Sequence, residues 1–280
     1  MLTALAFLAI LSAPPSGLTA GEVTLVSEGY IFTEGPVWLP GEGLIFSDVF
    51  VGKIYRADRS VFRNVSERTN GMALDPAGLL LSCESKPKQI TRTEEDGTIT
   101  VLADNYEGNS FNSTNDIAIR SDGLVYFTDP GKTPKSEMSH NGIYSLDPAT
   151  RDLTLLSKTL KFPNGIGFSP DESILYVADY LGGAIMQYDV DEKGGVSNVR
   201  EFASVVNPDG FAIDAEGKLW AAAKPGVVIF SPGGEQLGVI ELPDAPTNCC
   251  FGGKDGKTLF VTARKKVYKI RTATPGLGEF

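Results

Sequence analysis

The 280-residue sequence predicts an all-β chain, a six-bladed β-propeller whose ring is closed by an N-terminal strand. Three observations predict it. One phrase recurs six times, each copy carries runs of strand composition separated by turn residues, and beyond residue 20 no stretch keeps the apolar period of a helix over about 11 residues.

The phrase opens with a polar residue, runs into a short apolar strand and reaches a turn. It reads "FTEGPVWLPGEGLIFSDVF" from Phe32, "TNGMALDPAGLLLSCES" from Thr69, "TNDIAIRSDGLVYFTDP" from Thr114, "PNGIGFSPDESILYVADY" from Pro163, "PDGFAIDAEGKLWAAAK" from Pro208 and "TNCCFGGKDGKTLFVTAR" from Thr247. The lead polar residues are Glu34, Asn70, Asn115, Asn164, Asp209 and Asn248, spaced by 36, 45, 49, 45 and 39 residues. A glycine eight residues after the lead in four copies (Gly78, Gly123, Gly217, Gly256) marks a hairpin turn, and a β-branched and aromatic second strand follows. Third strands are expected at "KIYRAD", "QITRTE", "GIYSLD", "AIMQYD", "VVIFSP" and "KVYKIR", and fourth strands in five copies. About 40 residues carrying four strands is the period of a propeller blade. The sixth copy lacks a fourth strand, since only "ATPGLGEF" follows "KVYKIRT"; "EVTLVSEG", residues 22–29, is expected to supply it and to close the ring.

Composition agrees. Forty-two per cent hydrophobic residues with 31 Gly and 17 Pro suit many short strands and turns. A formal charge of -10, with no basic cluster beyond "ARKK", argues against nucleic acid and anionic lipid as partners. The uncharged leader "MLTALAFLAILSAPPSGLTA" reads as a signal peptide over residues 1–20, leaving 21–280 as one propeller domain, with no membrane segment in the mature chain and a periplasmic or secreted location. Cys83, Cys249 and Cys250 form neither a CxxC pair nor an even set and are expected as buried thiols, while the lone histidine, His140, is expected in a surface loop.

In a propeller the first strand of every blade begins at one face and lines the central channel, so the six lead residues converge. Two carboxylates and four amides then offer oxygen to a common point, which suits a hard divalent cation, Ca2+ first of all; with one His and no Cys cluster, zinc is disfavoured. Second strands return to the same face, so their ends (Asp48, Glu84, Asp129, Asp179, Lys224, Arg264) are expected to ring the mouth, with Asp129 a candidate for binding substrate hydroxyls.

The stretches "EGPVW", "NSTNDIAIRSDGLVYFTDP", "FPNGIGFSPDESILYVADY", "NPDGFAIDAEGKLW" and "PTNCCFGGKDGKTLFVTAR" resemble the SMP-30/gluconolactonase/LRE-like family, and within it the bacterial gluconolactonase branch, over roughly residues 25–272. The resemblance implies a six-bladed propeller with a divalent metal in the channel and hydrolysis of sugar-derived lactones. By matching motifs it implies metal ligands at Glu34, Asn164 and Asp209, with Asp209 also the general acid/base, and a substrate contact at Asn115. Those residue types suit the chemistry: a cation at the lactone carbonyl supplies Lewis acidity, and a carboxylate beside it takes a proton from water. No GxSxG motif offers a serine mechanism. Two alternatives keep the same face: a calcium-dependent phosphotriester or phosphofluoridate hydrolase, and a non-catalytic binding propeller.

Overall fold

Alternating apolar residues after each turn glycine form antiparallel ladders, and nothing in the chain competes with them. The computed structural model describes residues 13–280 apart from Pro225 and Glu279, and among these there is no helix. The first twelve residues of the expected signal peptide lie outside the described residues, and Thr19 and Ala20 already belong to the first strand.

Repeats two to five each form a four-stranded sheet in chain order. The second is built from Thr69–Leu74, Leu80–Glu84, Gln89–Thr93 and Ile99–Ala103, and the fourth from Pro163–Phe168, Ile174–Asp179, Ala184–Val190 and Val196–Ser204. Repeats six and one share one six-stranded sheet, so sheets of four or more strands number five, not six. The strand Thr258–Thr272 explains the merger. Its first part pairs with Asn248–Gly252 (Asn248↔Thr262), and its second with the long strand Thr19–Leu39 (Leu25↔Tyr268, Ser27↔Val267). It folds back on itself, since Thr272 N donates to Lys257 O at 2.9 Å, and the bend falls at Arg264, in the left-handed region at φ 55°. Within the segment at residues 22–29, Thr24 also pairs with Lys269 and Glu28 with Lys266.

The core sits between sheets. Six apolar clusters are each shared by successive repeats: Val37 and Ile45 with Met72 and Leu80; Leu81 and Ile90 with Phe127 and Tyr144; Tyr126 and Ile143 with Ile166 and Val177; Tyr176 and Ile185 with Phe211 and Ala221; Trp220 and Val227 with Leu259 and Ile270. The sixth joins Phe260 and Val267 to Tyr30, Leu44 and Phe46, so the last repeat packs on the first. Burial of each such side chain against its neighbour, worth about 1.5–3 kcal/mol, is what holds the repeats to one another.

Candidate functional site

The lead residues meet because their backbones are stitched in a circle. Ser47 Oγ lies between Glu34 O (3.1 Å) and Asn70 O (3.2 Å), Gly71 N donates to Asn115 O (2.7 Å), and Asp116 N donates to Thr128 Oγ1 (3.1 Å), which donates to Asn164 O (2.8 Å). Gly165 N donates to Asp209 O (3.2 Å), Gly210 N to Thr247 O (2.8 Å), and Thr247 Oγ1 to Thr33 O (2.8 Å), back at the start. This close approach explains the glycine after four of the leads. A Cβ at Gly210 would lie 2.0 Å from Asn248 Cγ, and one at Gly71 2.2 Å from Asp116 Oδ1. The third repeat departs from that pattern, with Asp116 where the others carry glycine or cysteine.

Five side chains thereby form one polar group. Glu34, Asp116, Asn164 and Asn248 are buried and Asp209 half-buried. Asn248 Nδ2 faces Asp116 Oδ2 at 3.4 Å, Asn248 also hydrogen-bonds Glu34, and Asn164 hydrogen-bonds Asp209. Loss of water and the charges of Asp209 and Asp116 push Glu34 well above the usual carboxylate range. Desolvation first, then Asp116, pushes Asp209 up to about 8, against pulls from Asn164 and the Arg264 charge. Burial pushes Asp116 up to about 7, against hydrogen bonds from Ile117 N and Asn248. Three carboxylates so placed cannot all ionise without a positive charge among them. Asn70 and Asn115 stand on the same circle, both half-buried. Asp116 is the member that the lead-residue pattern misses; the signal for it is the "ND" standing where other copies read "NG", "EG" or "DG".

The second-strand ends differ from their expected place at the mouth. Asp129 is fully buried, accepting from Asn112 N (2.8 Å), Ser113 N (2.7 Å) and Asn112 Nδ2 (3.0 Å), so it offers no exposed oxygen to a substrate. Asp48 does the same for Ile31 N (2.9 Å) and Phe32 N (3.0 Å), and Asp179 for Lys161 N (3.0 Å) and Phe162 N (2.9 Å). Each clamps the two amides two and three residues before its lead residue. Glu84 is buried against Arg63 at 2.5 Å. In repeats five and six the clamp position is the buried Ala223 or Ala263, and Lys224 and Arg264 stand one residue further on, exposed. His140 is half-buried, its Nε2 3.2 Å from the Tyr144 hydroxyl. Cys83 and Cys249 are buried thiols, Cys250 is half-buried, and burial raises all three.

The donor set suits a hard cation. All five groups offer oxygen and the charges are negative; the neighbouring Cys249 is held as a thiol by burial. Among the described residues no three His, Cys, Asp or Glu side chains close on one point, so amide, backbone or water oxygens would have to complete any coordination sphere.

A cyclic all-β chain with this acidic, amide-lined centre matches the SMP-30/gluconolactonase/LRE-like family over residues 32–265, and the chain belongs to that family. Among its relatives, the gluconolactonase of Zymomonas mobilis is 34% identical over 294 residues, covering 91% of this chain and 82% of the relative. Regucalcin of Xenopus laevis is 30% identical over 256 residues, 85% of each chain. A solved gluconolactonase structure from Xanthomonas campestris superposes with a TM-score of 0.84 at 30% identity, covering 93% of this chain and 95% of that one.

Proposed function

We propose that this chain is a metal-dependent lactonase that opens a sugar-derived lactone, as its gluconolactonase relatives are named for doing. The observation that carries the reading is the desolvated centre in which Asn248 links Glu34 to Asp116, Asn164 bonds Asp209, and the three carboxylates feel one another's charge. A divalent cation, Ca2+ for preference, would be held by Glu34, Asn164 and Asp209 and would supply Lewis acidity to the lactone carbonyl. Positive charge there would favour the ionised carboxylates against their upward shifts, and Asp209 would then be the group to take a proton from water. Asn164 would orient Asp209 through its hydrogen bond, and the half-buried Asn115, on the same circle, would contact substrate. Asp129 acts behind it, holding the loop of Asn112 and Ser113 that leads into Asn115.

The architecture follows the same reading. We infer six blades: the hairpin Thr258–Thr272 contributes two strands to the last, Thr19–Leu39 contributes the last strand of that blade and then the first of the next, and residues 22–29 close the ring. One domain over residues 21–280, exported to the periplasm or beyond, fits the uncharged leader.

The test is hydrolysis of glucono-δ-lactone, followed by proton release, with chelator and with calcium restored. Activity that calcium does not restore, or hydrolysis of phosphotriesters with none of lactones, overturns the reading.

A further inference from the structure

Repeats one, three and four end their second strands in an aspartate whose charge is spent on backbone amides, and repeat two ends in a glutamate paired with Arg63. Repeats five and six break this pattern. Alanine fills the clamp position, and the next residue is a cation, Lys224 or Arg264. Both cations are exposed, on successive blades, at the face where Asp209 and Asn248 begin their strands, since Asp209 N bonds Ala222 O at 2.8 Å and Asn248 pairs with Thr262.

Neither cation is spent elsewhere. Lys266 is held by Asp244 at 3.2 Å and Arg271 by Asp255 at 2.6 Å, but Arg264 and Lys224 enter no ion pair among the described residues. Arg264 also sits at the tip of the Thr258–Thr272 fold-back at φ 55°, a conformation that glycine or asparagine adopts at lower cost. It is opposite Thr33, next to Glu34, and its charge reaches Asp209. In a chain of net charge -10, Arg264 offsets part of the charge of Asp209, but two exposed cations on this face also oppose a metal cation held at the centre and do nothing for the core. A substrate anion accounts for both.

We infer that Arg264 and Lys224 form an anion subsite on the rim, so that the lactone this chain takes best carries an anionic oxyacid group, carboxylate or phosphate, away from its ring carbonyl. The inference rests on the lactonase reading. Arg264 supplies a planar, bidentate donor and Lys224 a mobile point charge, which together fit an oxyacid better than a neutral hydroxyl.

The test compares glucono-δ-lactone with its 6-phosphate and its 6-carboxylate counterpart, in wild type, Arg264→Gln, Arg264→Gly and Lys224→Gln, with calcium saturating. Wild type should favour an anionic lactone in kcat/KM. The anionic-to-neutral ratio should fall about tenfold or more in Arg264→Gln, chiefly through KM, and should shrink with added salt. A preference for only one anionic lactone identifies the group. Arg264→Gly should lose the same ratio while its Tm stays at or above wild type, because it relieves the left-handed backbone. Equal ratios in all four proteins, or a wild-type preference for the neutral lactone, overturn the subsite and leave the lactonase reading standing. No hydrolysis of any lactone overturns both.

Discussion

On the proposed reading Asp209 and Glu34 share a centre but not a task, and substitution separates them. Asp209→Asn keeps an oxygen for a cation and loses a base, whereas Glu34→Gln loses charge alone. Across a calcium titration, turnover of Glu34→Gln should recover towards wild type as sites fill, while Asp209→Asn should stay about 10²- to 10⁴-fold down at full occupancy. Near-wild-type turnover of Asp209→Asn at full occupancy would make it a ligand only. Asp116 acts on the pair by charge, because it is a cause of the upward shift of both. Asp116→Asn should therefore stabilise the metal-free protein and weaken calcium binding, by about tenfold for one carboxylate removed, measured by thermal unfolding and calcium titration on the same sample. An unchanged calcium affinity would place Asp116 outside the cation's reach.

At the scale of elements, the repeated device is a second strand whose last aspartate holds the entry to the first strand. Because the clamp lies behind the ring, it governs where a lead residue stands. Asp129→Asn keeps one acceptor for the three bonds that Asp129 takes from Asn112 and Ser113. The loss should be about 1–3 kcal/mol of stability, with KM rising as Asn115 loosens. A variant with wild-type Tm and KM would show the loop held by other contacts. This device was half legible. Aspartates at strand ends are plain in "FSDVF", "FTDP" and "VADY", but alternation alone does not tell an exposed end from one turned under the preceding loop.

For the whole molecule, the carboxylates set how stability follows pH. Asp129, Asp116 and Asp209 are raised to about 6, 7 and 8, so each favours the fold while it is protonated. Their contribution is complete below the ordinary carboxylate pKa near 4 and is lost as pH climbs through 6 to 8. In chelator, Tm should fall from pH 4 to pH 8, with Asp129 alone worth on the order of 3 kcal/mol. Calcium should raise Tm, and more at pH 8 than at pH 5, since protons compete with it for the same oxygens. A flat chelated profile would mean that the centre carries a counter-charge of its own. Ring closure has its own test. Deleting residues 13–28 uncovers the strand edge at Lys266–Thr272, and the expected outcome is aggregation or a Tm loss of several degrees.

The repeat of lead residue, turn glycine and strand runs was enough for an all-β chain built of successive repeats, because strand periodicity and turn chemistry are local. That the last repeat lacks an outer strand of its own was legible as a count of strands; that it shares one sheet with the first repeat was not. What only the tertiary structure decided is which neighbours those atoms keep. Asp116 joined the site because Gly71 of the preceding repeat leaves room for its carboxylate, Asp129 left the mouth because the amides of Asn112 and Ser113 came within reach, and Lys224 and Arg264 stayed at the rim because alanine took the buried place before each. Each outcome depends on contacts between residues far apart in the chain or across a turn, and the burial that shifts a carboxylate or leaves a cation exposed arises only when the repeats are packed on one another.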